Sequence, residues 1–426
     1  MSDSPLEELR ARGLVAQISD EPGLAEHLTQ ASRTLYCGFD PTAESLHIGN
    51  LVPLLTLRRF QLAGHKPILL LGGATGLIGD PSGRSSERNL NEPEVVAGWV
   101  DRIRAQVERF VDFQGANGAR VVNNLDWTTN LSVITFLREI GKHFSVNAMI
   151  NRDSVRSRLD REGEGISYTE FSYMLLQAMD YLHLAQVYDC SLQVGGSDQW
   201  GNIVSGMDLV RRKLHRESFA LTVPLVTKAD GTKFGKSAGG AVWLDSNKTS
   251  PYAFYQFWLN TSDADVANFL RLFTFVETTE IAALIAAHEH APQQRQAQRR
   301  LARELTAMVH GEAALESAER ITAGLFEGAL VDLSEEDLGQ LALDGMDCTE
   351  ILEDEVGLLD LLTRTGLAQS NGAGRKLVVS GGVSLNGATV ADVDLRLGWR
   401  DALYNRYHLL RRGKKNWHLV RRGSAS

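Results

Sequence analysis

Cysteine is scarce in these 426 residues: Cys37, Cys190 and Cys348 stand apart, in no metal-ligand spacing. Neither a disulfide framework nor a zinc site is implied. Long apolar runs are also missing, and the richest stretches, such as Ile68–Leu71, are far too short to cross a bilayer. The opening segment MSDSPLEELRARG is acidic and amphipathic, without the apolar centre of a signal peptide. A cytoplasmic address and no membrane partner are the expectation. Internal repeats and low-complexity tracts are lacking. So are two nucleotide-binding fingerprints. The turn Gly72-Gly73-Ala74-Thr75-Gly76 has Ala74 where G-x-G-x-x-G needs its second glycine. The segment Asp230-Gly231-Thr232-Lys233-Phe234-Gly235-Lys236-Ser237 has Asp230 where a P-loop begins with glycine.

What is present fits a multidomain globular protein. The length exceeds one ordinary core, and 43% hydrophobic with 23% charged residues excludes a disordered chain. A net charge of -9 argues against a polyanion partner until its distribution is read. Between Asp332 and Glu355 stand ten carboxylates and no Lys or Arg, whereas from Arg375 onward eleven basic residues face three acidic ones, a balance of +8. An acidic stretch before a basic module fits a polyanion-binding appendage, or a solvated surface with uneven charge.

Hydrophobic periodicity divides the chain. Up to about Trp243, short β-rich runs (Thr34–Phe39, Pro67–Leu71, Val121–Asn123, Ser191–Val194, Leu221–Val226) alternate with amphipathic helical stretches, the pattern of a parallel sheet covered by helices. Residues 250 to about 330 read as helical. The tail returns to mixed structure, with a helix near Gly357–Thr365 and strands at Val383–Asn386 and Asn416–Val420.

Chemistry-bearing residues begin where the first of these strands ends. Tyr36-Cys37-Gly38-Phe39-Asp40-Pro41-Thr42 runs into His47-Ile48-Gly49-Asn50. Pro53 fits only the first turn of a helix, so the helix starts near Asn50 and His47 precedes its N-terminus. Such a position favours a phosphate, or is a plain cap. Further on, Lys233 and Lys236 on a Gly-rich stretch before Ser237 form a cationic loop able to stabilise departing pyrophosphate, or a solvated turn. Ser167-Tyr168-Thr169-Glu170 opens a helix as a capping box, and Tyr173, Gln177 and Asp180 then share one stripe among apolar neighbours. A carboxylate so placed needs a donor, which is the pattern of a pocket wall meeting a polar ligand.

Taken together, Cys37-Gly38-Phe39-Asp40-Pro41-Thr42 with His47-Ile48-Gly49-Asn50, and Lys233-Phe234-Gly235-Lys236-Ser237 much later, resemble the two signatures of class I aminoacyl-tRNA synthetases. Three intervening blocks narrow the likeness to the bacterial tyrosyl-tRNA synthetases. They are Gly79-Asp80-Pro81-Ser82-Gly83, Asn123-Asn124-Leu125-Asp126-Trp127 and Gln193-Val194-Gly195-Gly196-Ser197-Asp198-Gln199-Trp200. Near the end, Ser370-Asn371-Gly372-Ala373-Gly374-Arg375 with Gly381-Gly382-Val383-Ser384-Leu385-Asn386-Gly387 is similar to an S4-type RNA-binding fold. One position departs: the first signature usually ends in His, and here Asn50 stands there, able to donate a hydrogen bond but not to carry charge.

The resemblance implies an α/β chain: a Rossmann-like parallel-sheet catalytic domain (1–245), an α-helical anticodon-side domain (246–332), an acidic linker (333–355) and a small α+β S4-like domain (356–426). It implies that Tyr36 and Asp180 hold a substrate phenol, and that Asp80, Tyr173 and Gln177 hold the ammonium group with Gln193 organising the pocket. Cys37, Gly196 and Asp198 would meet the ribose and Gly49 the adenine, with Gly38, Asp40, Asn50 and Gln199 completing the ATP set. Thr42, His47, Lys233, Lys236 and Ser237 would carry catalysis at the phosphates, with Arg84 and Arg88 as further candidates. Partners implied are L-tyrosine, ATP with Mg2+, tRNA(Tyr) and a second copy of the chain, with no DNA and no protein-bound metal. A tryptophanyl-type enzyme should lack the Tyr36/Asp180 pair. A small-molecule nucleotidyltransferase would need neither the helical domain nor the basic tail. An inactive RNA-binding paralogue sits poorly with Lys233, Lys236, His47 and Asp80 all intact.

Overall fold

Runs of Val, Ile and Leu bounded by Gly, Asn and Asp set the strands of the first compact unit, Met1–Leu244 with Asp263–His290. The computed structural model describes residues 4–82, 90–152, 155–156, 159, 165–232, 234–237, 240–328 and 330–423. Six strands form its main sheet: β1 (Gln17–Ile18), β2 (Thr34–Phe39), β3 (Lys66–Leu71), β4 (Arg120–Asn123), β5 (Cys190–Gly196) and β6 (Phe219–Val223). Their order is β1-β6-β5-β2-β3-β4; β2 to β6 are parallel and the short β1 runs antiparallel at the edge. β3 and β6 are almost wholly buried apolar runs, as a sheet covered on both faces requires.

From β2 the chain builds one way to β3 and β4, and the other way to β5 and β6. The carboxyl ends of β2 and β5 therefore flank a topological switch point, where open α/β sheets bind ligands. Tyr36 pairs in register with Gln193 across it. One wall is the Tyr168–Tyr188 helix. Ser167 Oγ caps it by accepting the Glu170 N–H at 3.2 Å, and Asp189 ends it in the left-handed region at φ 53°. The Trp200–Leu214 helix lies so close to it that a Cβ on Gly206 would come 3.1 Å from Tyr181 Cβ.

The Asp263–Phe273 and Thr278–His290 helices belong to this same unit. Two buried guanidinium groups hold them. Arg12 donates to the carbonyls of Thr274 (3.1 Å) and Val276 (3.0 Å), and Arg59 to Thr274 (2.5 Å) while lying over the Phe275 ring. The carbonyls past a helix C-terminus attract cations, and Glu8 offsets the charge of both arginines. Burial, then Arg12, pushes Arg59 down to about 9.

The second unit, Asp245–Ser262 with Ala291–Ser426, combines helices and a separate sheet. The Pro251–Leu259, Gln296–His310 and Glu312–Glu327 helices pack together. The sheet runs Ala388–Thr389, Val383–Leu385, Tyr407–Arg412, Asn416–Arg422, Cys348–Ile351, with only the last pair parallel. Residues 333–355, expected as an acidic linker, thus supply an edge strand, the Glu335–Gln340 helix and a π-helical turn at Leu341–Gly345. Leu338, Leu341 and Ile351, spaced among the carboxylates, are buried and account for this. Asp337 is buried on Arg320, and the outward carboxylates meet the basic tail: Glu335 with Arg406, Glu350 with Arg421, Asp354 with Arg422 and Glu355 with Arg396. Among the described residues, no helix is long and apolar enough to cross a membrane.

Candidate active site

At the carboxyl end of β2 the sheet interior stops being apolar. Tyr36 is 0% exposed, its ring edge-on to Tyr181 at 5.3 Å, and its hydroxyl has no hydrogen-bond partner. Burial first and the Asp180 charge second push its phenol well above the ordinary value. Asp180, 1% exposed on the facing helix, accepts from Asn124 Nδ2 and Trp127 Nε1, both at 2.9 Å. Burial wins over these two donors and pushes the carboxyl up to about 7. Gln177 Oε1 and Gln193 Oε1 are buried acceptors likewise without partners. Unsatisfied polar atoms such as these, with the Tyr36 hydroxyl facing the Asp180 charge, are what a polar ligand would complete, since each such group left buried costs about 1–3 kcal/mol.

A chain of hydrogen bonds leads out of this pocket. Asn124 Nδ2 also donates to Thr75 Oγ1 (3.0 Å), Thr75 to Asp40 Oδ1 (2.6 Å), and the Tyr173 hydroxyl to Asp40 Oδ2 (2.6 Å). The backbone fits tightly: a Cβ on Gly72 would fall 2.0 Å from Asp40 Oδ1. Burial, then Asp40 and Asp80, keep Tyr173 protonated. Asp80 accepts from Ser82 N (2.9 Å) and Gln199 Nε2 (2.5 Å), and Asn202 donates to Gln199 Oε1 (3.2 Å). Asp198 follows β5 at the mouth, where lost hydration and then Asp80 raise its pKa. A Cβ on Gly196 would come 2.7 Å from its carboxylate. Beside Gly38, Cys37 is buried, and burial pushes its thiol up to about 12, so it is no nucleophile.

The outer rim is the turn before the Leu51–Leu62 helix. Thr42 and His47 are exposed there. His47 Nδ1 accepts the Gly49 N–H (3.0 Å), and the His47 N–H donates to Asn50 Oδ1 (3.1 Å), a reciprocal cap. Asn50, the departure noted above, therefore spends its oxygen on fixing His47. The hairpin Lys236–Ser237/Gly240–Ala241 is chained to this turn. Val242 N donates to Gly235 O (3.1 Å), Ile48 N donates to Val242 O (3.0 Å), and His47 bridges to Trp243. Lys233, Arg84 and Arg88 lie outside the described residues.

Two groups of expected residues are thus assembled by hydrogen bonds: Asp180, Asp40 and Tyr173, and separately Asp80 with Gln199. Sequence reasoning missed Thr75, Asn202 and the roles of Asn124 and Trp127. The last two sit in the Asn123–Trp127 block just past β4, and a polar cluster at a parallel strand's carboxyl end was the available signal.

Comparison with known proteins places the chain in a family. A family model described as tRNA synthetases class I (W and Y) matches residues 29–327, and one for the tyrosine–tRNA ligase SYY-like C-terminal domain matches residues 337–420. A tyrosine–tRNA ligase of Aliivibrio fischeri (strain MJ11) is 58% identical over 415 residues, 97% of each chain. That of Dechloromonas aromatica (strain RCB) is 56% identical over 421 residues, 99% of each. Among solved structures, a C-terminally truncated mitochondrial tyrosyl-tRNA synthetase of Coccidioides posadasii is 33% identical, with a TM-score of 0.66, covering 74% of this chain and 91% of its own. With a parallel sheet of this topology, a family model over residues 29–327 and relatives matching almost end to end, the chain belongs to the tyrosine–tRNA ligase family of class I (W and Y) tRNA synthetases.

Proposed function

We infer that this chain is a tyrosine–tRNA ligase: it activates L-tyrosine with ATP, releasing pyrophosphate, and transfers the tyrosyl group to the terminal ribose of tRNA(Tyr). The observation that carries this reading is the buried pair at the pocket floor, the Asp180 carboxyl and the unpartnered Tyr36 hydroxyl. A substrate phenol completes both, donating to Asp180 and accepting from Tyr36, whereas an indole has no oxygen to accept the Tyr36 proton. Gln177, Tyr173 and Asp80 then face the amino-acid end, where an ammonium group supplies the donors that carboxylate and amide oxygens need.

With tyrosine held, its carboxylate attacks the α-phosphorus of ATP in line, one P–O bond forms, and the bond to the β-phosphate oxygen breaks. Positioning and charge stabilisation suffice, so no side chain acts as nucleophile. His47 and Thr42 at the rim meet the outer phosphates, with Lys233, Lys236 and Ser237 supplying charge and donors as pyrophosphate leaves. Magnesium travels with the nucleotide. Gly49 belongs in the turn because a Cβ would stand 2.8 Å from His47 Cε1. Asp198, Gly196, Gln199, Cys37 and Gly38 border the ribose side. The tRNA ribose hydroxyl next attacks the tyrosyl carbonyl and AMP departs.

The basic residues of 356–426 give tRNA its electrostatic footing. A second copy of the chain is the proposed partner of the Val133–Glu139 and Val146–Ile150 helices. Val133, Ile134, Leu137, Val146 and Ile150 are exposed there while Phe136 and Met149 pack inward. A cytoplasmic location accords with the charging of tRNA. Pyrophosphate exchange measured with each of the twenty amino acids tests the reading: tyrosine alone should support fast exchange, and a preference for tryptophan, or none at all, overturns it.

A further inference from the structure

Phe234 stands between the two lysines of the cationic loop, where the chemistry of the phosphates gives an aromatic ring nothing to do. Its ring is nonetheless held. Phe269 meets it at 4.9 Å with planes at 63°, and Phe273 stacks on it at 5.2 Å and 27°. Those two rings, 2% and 0% exposed, contact each other at 5.9 Å on one face of the Asp263–Phe273 helix. The same helix reaches the loop a second time through Asp265 Oδ1, which accepts the Ala229 N–H at 2.7 Å. Its far end is the one clamped by Arg12 and Arg59. On the other side of Phe234, Gly235 at φ 89° passes along Ile48, and its carbonyl holds Val242, which holds Ile48 in turn.

We propose that Phe234 is a positioning residue for tyrosine activation: seated between Phe269 and Phe273, it fixes where Lys236 of the loop can reach relative to the His47 turn. Aromatic contacts of this geometry favour one ring placement over others, so the ring holds the middle of the loop between its two anchored ends. The Asp263–Phe273 helix, which packs against the Leu51–Leu62 helix that follows the His47 turn, is thereby the reference frame of the loop. The Asp265 bond anchors the start of the loop and the Gly235–Val242–Ile48 bonds its end, so losing the ring frees the middle. Misplacing a charged group by about 1 Å at a reacting phosphate costs up to roughly 10²-fold in rate.

This inference rests on the reading of the chain as a tyrosine-activating enzyme, and the test separates the two in the full-length protein. Pyrophosphate exchange and equilibrium binding of tyrosine are measured for wild type, Phe234→Ala, Phe234→Tyr, Lys236→Ala and the double variant Phe234→Ala/Lys236→Ala. Phe234→Ala should lower kcat for exchange about tenfold or more with tyrosine Kd within about twofold, and Phe234→Tyr should recover most of the loss. In the Lys236→Ala background the Phe234→Ala change should cost less than about twofold, because a ring that acts by placing the lysine has nothing left to place. Equal losses in both backgrounds, an unchanged exchange rate, or a matching loss of tyrosine affinity overturns the proposal. Absence of tyrosine-dependent exchange in wild type would instead strike the parent reading.

Discussion

Tyrosine binding should be linked to a proton at Asp180, and pH is the perturbation that exposes it. Burial holds this carboxyl up at about 7, from an ordinary 3.8, against the pull of Asn124 and Trp127. A phenol donating to it stabilises the ionised form, so binding draws the pKa back down and releases the proton. About ten in eleven empty pockets hold a carboxylate at pH 8 and about one in eleven at pH 6, so tyrosine should bind roughly tenfold more weakly at pH 6. Phenylalanine, lacking the hydroxyl, is the control for every other titrating group and should show little of this dependence. Titration calorimetry in buffers of different ionisation enthalpy counts the released proton. Trp127→Phe removes one of the two donors and should move the affinity profile to higher pH. Stability of the empty protein runs the other way. Because the folded pKa lies above the unfolded one, stability is full below about pH 4 and falls as pH rises through 7, by up to roughly 4 kcal/mol. Tyrosine should therefore raise Tm more at pH 8 than at pH 6. A tyrosine affinity that is flat from pH 6 to 8, with no proton released, would refute the reasoning.

Lys236→Ala should cut kcat for tyrosine activation by about 10²-fold or more, with little change in tyrosine Kd, as read by exchange and dialysis. Tyr36→Phe removes a buried hydroxyl that has no partner in the empty protein. Thermal unfolding should show it neutral or stabilised by about 1 kcal/mol, while the ratio of kcat/KM for tyrosine over phenylalanine falls. Charge reversal at the exposed Lys414 and Lys415 should raise KM for tRNA and shrink the slope of log affinity against log salt, leaving tyrosine-dependent exchange intact. Ile134→Asp, at a position 65% exposed on its helix, should shift sedimentation from dimer to monomer without altering the far-ultraviolet spectrum.

Much of the catalytic unit was legible because its signals are local. The strand Thr34–Phe39 was read to the residue, and Pro53 located the start of its helix, since periodicity and proline act within a few residues. The stripe Tyr173, Gln177, Asp180 was visible for the same reason. What decides the pocket was not: Asn124 reaches Asp180 across 56 positions of chain, and Tyr173 reaches Asp40 across 133. Such pairings exist only once β2, β4 and the Tyr168–Tyr188 helix are brought together; the sequence offers the polar cluster after β4 but not its partners. Charge misled in one place. The carboxylates of 333–355 suggested a solvated tether, yet Leu338, Leu341 and Ile351 between them outweigh the charge and draw the segment into the fold.

That segment changes what the basic tail offers to RNA. Arg396, Arg406, Arg421 and Arg422 already hold carboxylates from Glu355, Glu335, Glu350 and Asp354. These carboxylates behave as counterions tied to the chain. A phosphate that displaces one of them leaves a freed carboxylate beside the bound RNA, which partly undoes the neutralisation that releases the RNA's condensed cations. Salt titration of tRNA affinity will therefore count fewer charges than the eleven basic residues of the tail. At the four tethered arginines the exchange is one anion for another, and its outcome turns on hydrogen-bond geometry, which salt leaves nearly untouched.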